Sequence, residues 1–223
     1  MTTKPLVKPR TGLAKKIGWT SMLVLSLFIV LVSSRYFSLN PDVFFSEQML
    51  VYMAHRFGLI LHISGAMLAL IIGPLQFLPR LRRGRFLKLH RWLGRIYLLG
   101  ILLGGLGGLY MAFFAFGGIV AKLGFASLSL LWLGSGYAAY SLIRKGNIEA
   151  HKAWMIRNFA LTFAAVTLRL WIPLFMMLGL EFRTSYIIIS WLCWVPNLIF
   201  AEWLIRRDSR KTTPLPSLSK VDA

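Results

Sequence analysis

The chain has 223 residues, is 57% hydrophobic and only 15% charged, and still carries a formal net charge of +19; that is too apolar for a soluble domain of this length. Its basic residues fall in short clusters between long uncharged runs, which excludes a nucleic-acid-binding face and leaves the lipid bilayer as the partner. The single cysteine, Cys193, excludes an intramolecular disulfide and any cysteine-based zinc or iron–sulfur site.

In chain order, residues 1–16 read as a basic tail. The apolar run after them is too long for a signal-peptide core, and Arg35 follows it without a small-x-small cleavage site, so it is expected to stay as a first helix. Residues 17–207 are expected to form one transmembrane domain. Six runs, at 17–37, 57–78, 95–116, 123–142, 156–180 and 185–204, are long enough to cross a hydrocarbon core of about 30 Å at about 1.5 Å per residue. Backbone groups in lipid must be satisfied within the segment, so these runs are helices. The expected fold is an all-α integral membrane bundle of six transmembrane helices. The connection 38–55 contains a candidate interfacial helix around Val51 and Tyr52. Residues 208–223, with Pro214 and Pro216, read as a disordered tail.

Orientation follows from lysine and arginine. Of the 26 basic residues, 21 lie in the two tails and the second and fourth connections; Arg35, Arg56, Lys122 and Arg183 lie on the other side, and Arg169 lies within a span. This bias predicts cytoplasmic termini and a multi-pass protein of a cell membrane, the inner membrane of a bacterium. Trp92, Tyr97, Trp154 and Trp203 are expected at the inner boundary, and Tyr36, Phe116 and Tyr186 at the outer one.

Ionisable groups within a membrane are costly, which makes each a functional candidate. His90 and His151 start the third and fifth helices at matching depth. Two such imidazoles can take both axial positions of a b-type haem, with Arg95 and Arg157 available to its propionates. The glycines of the third helix, Gly100 to Gly108, would admit either a second backbone or a flat macrocycle. The competing reading has both histidines bonding carbonyls or lipid headgroups. His62, seven residues after His55 on the same helix face, needs a partner inside the bundle. An outer haem would want a histidine on the fourth helix, which has none; Met111 is a possible substitute.

Arg169 lies eighteen residues, five helical turns, after His151, so an unbroken helix puts both on one azimuth about 27 Å apart. Asn158 and Thr162 fall on the same stripe and predict an inward polar seam. Pro173 and Pro196 free the carbonyls of Arg169 and Leu192. One reading groups Arg169, His62, Trp194 and Asn197 as an outer-half pocket for a lipid, a quinone or a small anion. The other has Arg169 bonding Asn197 and freed carbonyls for structural reasons. Glu202 is expected to pair with Arg157 or Arg95. No nucleophile triad or phosphate-binding glycine loop occurs, and none of the seven acidic residues lies mid-span.

The stretches Gly73-Pro74-Leu75-Gln76-Phe77, His90 to Tyr97, His151 to Arg157, Thr167-Leu168-Arg169 and Trp194-Val195-Pro196-Asn197 resemble the bacterial family of predicted membrane proteins catalogued as domain of unknown function 2306. The resemblance covers about residues 50–207 and implies a membrane protein without implying an activity. The architecture is more loosely similar to multi-span haem b proteins of the cytochrome and ferric-reductase kind. The expectation for function is therefore a membrane redox protein holding one haem b through His90 and His151 and exchanging electrons with a quinone or another small redox partner. The alternatives are a non-enzymatic protein binding a ligand near Arg169, or a structural subunit of a complex.

Overall fold

A computed structural model describes residues 12–212. Within them the secondary structure is helical: α1 (Leu13–Ser34), α2 (Ser46–Ala54), α3 (Arg56–Gln76), α4 (Leu87–Ala112), α5 (Ile119–Arg144), α6 (Ile148–Thr162), α7 (Ala164–Met177), α8 (Phe182–Leu192) and α9 (Val195–Thr212), with short 3-10 turns between some of them. Six stretches are long and apolar enough to cross a membrane: Lys15–Ser38, Arg56–Gln76, Gly84–Ala112, Ile119–Arg144, Ile148–Met177 and Phe182–Ser209. An even number of crossings returns the chain to the end of the bundle where it began. That end also holds the arginine-rich segment before α4, and we call it the basic end; the opposite one is the far end. The expected disorder from residue 208 is corrected as far as Thr212, which closes α9. Residues 1–11 of the first tail and 213–223 of the last lie outside the described residues.

The centre of the bundle is the pair α3 and α4. Small residues let their backbones touch, as helix association in lipid requires. A Cβ on Gly65 would stand 2.2 Å from the backbone nitrogen of Gly104 and 2.4 Å from the carbonyl oxygen of Gly100. The glycine face of α4 therefore receives a second helix, and the macrocycle reading of those glycines is corrected. Around this pair α5 packs on α4, α6 and α8 pack on α5, and α1 lies against α3 and α7. α5 turns into α6 through Gly146, whose φ of +76° favours glycine. Asn147 then caps α6, its Oδ1 accepting from the Ala150 amide at 3.0 Å.

The fifth and sixth spans are each broken, which the sequence reading did not foresee for residue 163. α6 ends at Thr162, whose hydroxyl donates back to the Asn158 carbonyl at 3.0 Å, a bond that bends helices. α8 ends at Leu192, where Pro196 has no amide hydrogen to return. The two breaks are tied together. Asn197 Nδ2 donates to the carbonyls of Ala160 (3.2 Å) and Cys193 (3.0 Å) and to Thr167 Oγ1 (3.2 Å). Thr167 Oγ1 in turn bonds the Cys193 carbonyl. Side chains satisfy backbone groups that the breaks expose, the condition for irregular chain at membrane depth. The expected pairing of Asn197 with Arg169 is corrected: Arg169 bonds its own helix, Nη1 to the Ala165 carbonyl at 3.0 Å.

Tyr97 is also corrected. It is fully buried and is not a boundary anchor. Its hydroxyl donates to Asn158 Oδ1 at 2.8 Å and lies 3.0 Å from Thr162 Oγ1. Trp132 Nε1 donates to Thr162 Oγ1 at 2.9 Å, and Asn158 Nδ2 donates to the Trp132 carbonyl and to Ser135 Oγ, both at 2.8 Å. Trp92 and Trp203 are exposed at the basic end, as expected of boundary residues.

Candidate binding site

At the far end the segment between α1 and α3 folds over the bundle. Tyr36 stacks on Phe44 at 5.6 Å and Phe44 meets Tyr52 edge-on at 5.4 Å. Beneath this cap lies a cavity of about 530 Å³, within the range of small-molecule sites. Its walls are mostly apolar. A few polar groups converge on it: Arg35, Gln48, Tyr52, His62, Arg169 and Tyr186. Its floor includes Trp132 and Thr162, members of the hydrogen-bonded cluster around Asn158, which makes that floor rigid.

His62 is placed by the glycines of α4. Its Nδ1 lies 2.7 Å from the Gly104 carbonyl, and a Cβ on Gly108 would stand only 2.7 Å from that nitrogen. A carbonyl only accepts, so Nδ1 carries the hydrogen, and in the neutral ring Nε2 is a bare acceptor. Arg169 brings up to five donors. Among the described residues no aspartate or glutamate lines the cavity, so its guanidinium faces the chamber without a carboxylate. Gln48 is 5% exposed, and its Nε2 has no hydrogen-bond partner. Tyr52 lies in α2, outside the spanning helices. Burial, reinforced by the neighbouring Tyr186, holds its phenol well above the ordinary value, so it stays a neutral hydroxyl.

Of the four residues expected in this pocket, the structure brings together His62 and Arg169. Trp194 and Asn197 lie elsewhere, in the seam between the broken spans, where Trp194 Nε1 donates to the Ser190 carbonyl at 2.9 Å. Gln48 and Arg35 were missed as site residues. The available signal was an amide one turn before Tyr52 on a short helix that is apolar after it.

At the basic end His90 and His151 sit in the first turns of α4 and α6. His151 Nδ1 lies 2.8 Å from the Ala139 carbonyl, whereas His90 Nδ1 is buried without a partner. The two arginines assigned to propionates are placed otherwise. Arg157 binds Glu202 through Nε and Nη2 and lies 4.8 Å from the Trp154 ring centroid. Arg95 is exposed and lies 5.1 Å from the ring of Trp92. Among the described residues there is no group of three or more histidine, cysteine, aspartate or glutamate side chains placed to hold a metal ion. His55 packs on Phe114 at 3.7 Å, its Nδ1 2.8 Å from the Tyr110 hydroxyl.

Helices of these lengths, packed through glycine around a mostly apolar chamber, define a six-span helical membrane protein. The sequence profile of the family described as predicted membrane protein, DUF2306, matches residues 59–205, and the chain belongs to that family. No curated protein and no solved structure matches the chain.

Proposed function

We propose that the protein binds an amphipathic small molecule drawn from the bilayer, with its polar head at Arg169 and His62. The observation that carries this is a cation facing a chamber whose lining, among the described residues, holds no carboxylate. An arginine within a span costs about 2.5–3.5 kcal/mol on insertion scales, and here its protein contact is one carbonyl of its own helix. The cavity also reaches the outside of the bundle. Phe28 of α1 and Leu170 and Met176 of α7 line it while remaining exposed on the surface that faces lipid. A lipid, a quinone or a small anion satisfies the donors; only the first two use the lateral opening.

Native mass spectrometry of protein taken from nanodiscs of the producing cell's lipids tests this. Wild type should retain a bound amphiphile, and Arg169→Leu should lose it while melting no lower. Equal retention by the variant, or an empty wild type, overturns the reading.

A second reading rests on the orphaned Nδ1 of His90 beside His151: one haem b held by this pair, passing an electron to a small redox partner such as a quinone. When bound, haem would supply one-electron chemistry. Protein purified from haem-replete cells should then show a Soret band that His90→Ala and His151→Ala each abolish; a colourless, folded preparation ends that reading.

A further inference from the structure

Resting on the binding reading above, we infer that the head held in the chamber is a phosphate-type oxyanion carried on a lipid, placed between Arg169 and Arg35 with the Gln48 amide as a third donor. Three observations lead here. Arg35 and Arg169 line one cavity and repel each other. Arg169 is half-buried in the wall and Arg35 is exposed at the mouth; two cations on one cavity favour an anion there, and among the described residues the lining offers no aspartate or glutamate. The nearby carboxylate Glu47 accepts from its own neighbour, Ser46 Oγ, at 3.0 Å.

Gln48 is the second, independent sign. Its Nε2 is buried in a wall of the chamber, near the Tyr186 side chain but without a hydrogen bond of full geometry. Buried donors in folded proteins are nearly always satisfied, and an oxyanion supplies acceptors for an amide and a guanidinium together. A quinone carbonyl would accept from Arg169 but would leave its charge uncompensated.

The third observation fixes the source. The opening between α1 and α7 is apolar and exposed, with Phe28 and Leu170 at its edge. Acyl chains leaving through it would rejoin the bilayer with the head still inside. The bare Nε2 of His62 accepts a hydrogen from a hydroxyl on the head, which favours a hydroxyl-bearing phosphodiester over one bearing an ammonium group.

The test uses the full chain in a neutral detergent, read by thermal shift and intrinsic tryptophan fluorescence. The probes are dioctanoyl phosphatidylglycerol, dioctanoyl phosphatidylcholine, a short-tailed ubiquinone and inorganic phosphate. Phosphatidylglycerol should bind best. Arg169→Gln should weaken it about thirtyfold or more, the expectation for removing one side of a buried charge-assisted contact. Gln48→Leu keeps both charges and removes an amide donor that has only a loose contact with Tyr186. It should weaken binding several-fold without lowering the melting temperature of the ligand-free protein, which separates a binding role from a structural one. If inorganic phosphate competes as well as the lipid does, the lipid assignment falls. If only the quinone binds, the oxyanion assignment falls while the binding reading stands. If no probe and no total lipid extract binds, both fall.

Discussion

Asn158 and Arg169 occupy one span and meet the same difficulty in opposite ways. Asn158 uses its amide fully, with three side-chain hydrogen bonds to Tyr97, the Trp132 carbonyl and Ser135. Side-chain hydrogen bonds inside membrane proteins average about 0.6 kcal/mol, so Asn158→Leu should cost about 2 kcal/mol. Unfolding in mixed micelles measures this; a loss well under 1 kcal/mol would mean the cluster is not a structural lock. Arg169 bonds one carbonyl of its own helix. Arg169→Leu should leave the melting temperature of the ligand-free protein unchanged or raised, and a clear drop would show that the guanidinium holds the fold. His62 and Arg169 were legible in the sequence because a charge or an imidazole in an apolar run is costly wherever it points. Trp194 and Asn197 were placed wrongly because their neighbourhood depends on the break at Cys193 and Trp194. No local pattern gives the angle at which a chain resumes after such a break.

For the helices, length and sidedness were readable. The expected spans match the observed ones to within a few residues, except that α4 and α6 start about eight residues earlier than their apolar runs. The reason is physical. Hydropathy marks the lipid-facing stretch, while hydrogen bonding extends a helix into the charged boundary, where His90 and His151 sit. The polar seam of the fifth span was also readable, since Asn158 and Thr162 are buried. Its continuity was not, because Thr162 bends the chain through its own hydroxyl. From sequence the glycines of α4 fitted a second helix, their usual partner, or a flat macrocycle, and the clash distances at Gly65 decide for α3. Gly65→Ala should therefore destabilise by about 1–3 kcal/mol, the usual cost of overpacking. Gly134→Ala, in α5 with nothing within 4 Å of the added carbon, should be neutral or stabilising by up to about 1 kcal/mol. Parallel melting curves compare them, and equal effects would remove the close approach of α3 and α4 from the account.

For the whole molecule, charge asymmetry predicts that the basic end faces the cytoplasm. In a Cys193→Ala background, Ser38→Cys at the far end should react with an impermeant maleimide in intact cells, and Lys145→Cys at the basic end should react only after lysis. The reverse pattern would invert the molecule. Cys193 is fully buried, so its removal leaves labelling unambiguous.

The chamber is assembled from two parts of the chain. Arg169 and His62 fall inside residues 59–205, the stretch matched by the family profile, while Arg35, Gln48 and Tyr52 fall before it. A relative sharing only the matched stretch inherits one wall, and its leading segment supplies the other. The two walls are thus separable along the sequence: if the chamber holds the proposed headgroup, exchanging residues 13–54 between family members should change which headgroup it takes while leaving the contact between α3 and α4 intact.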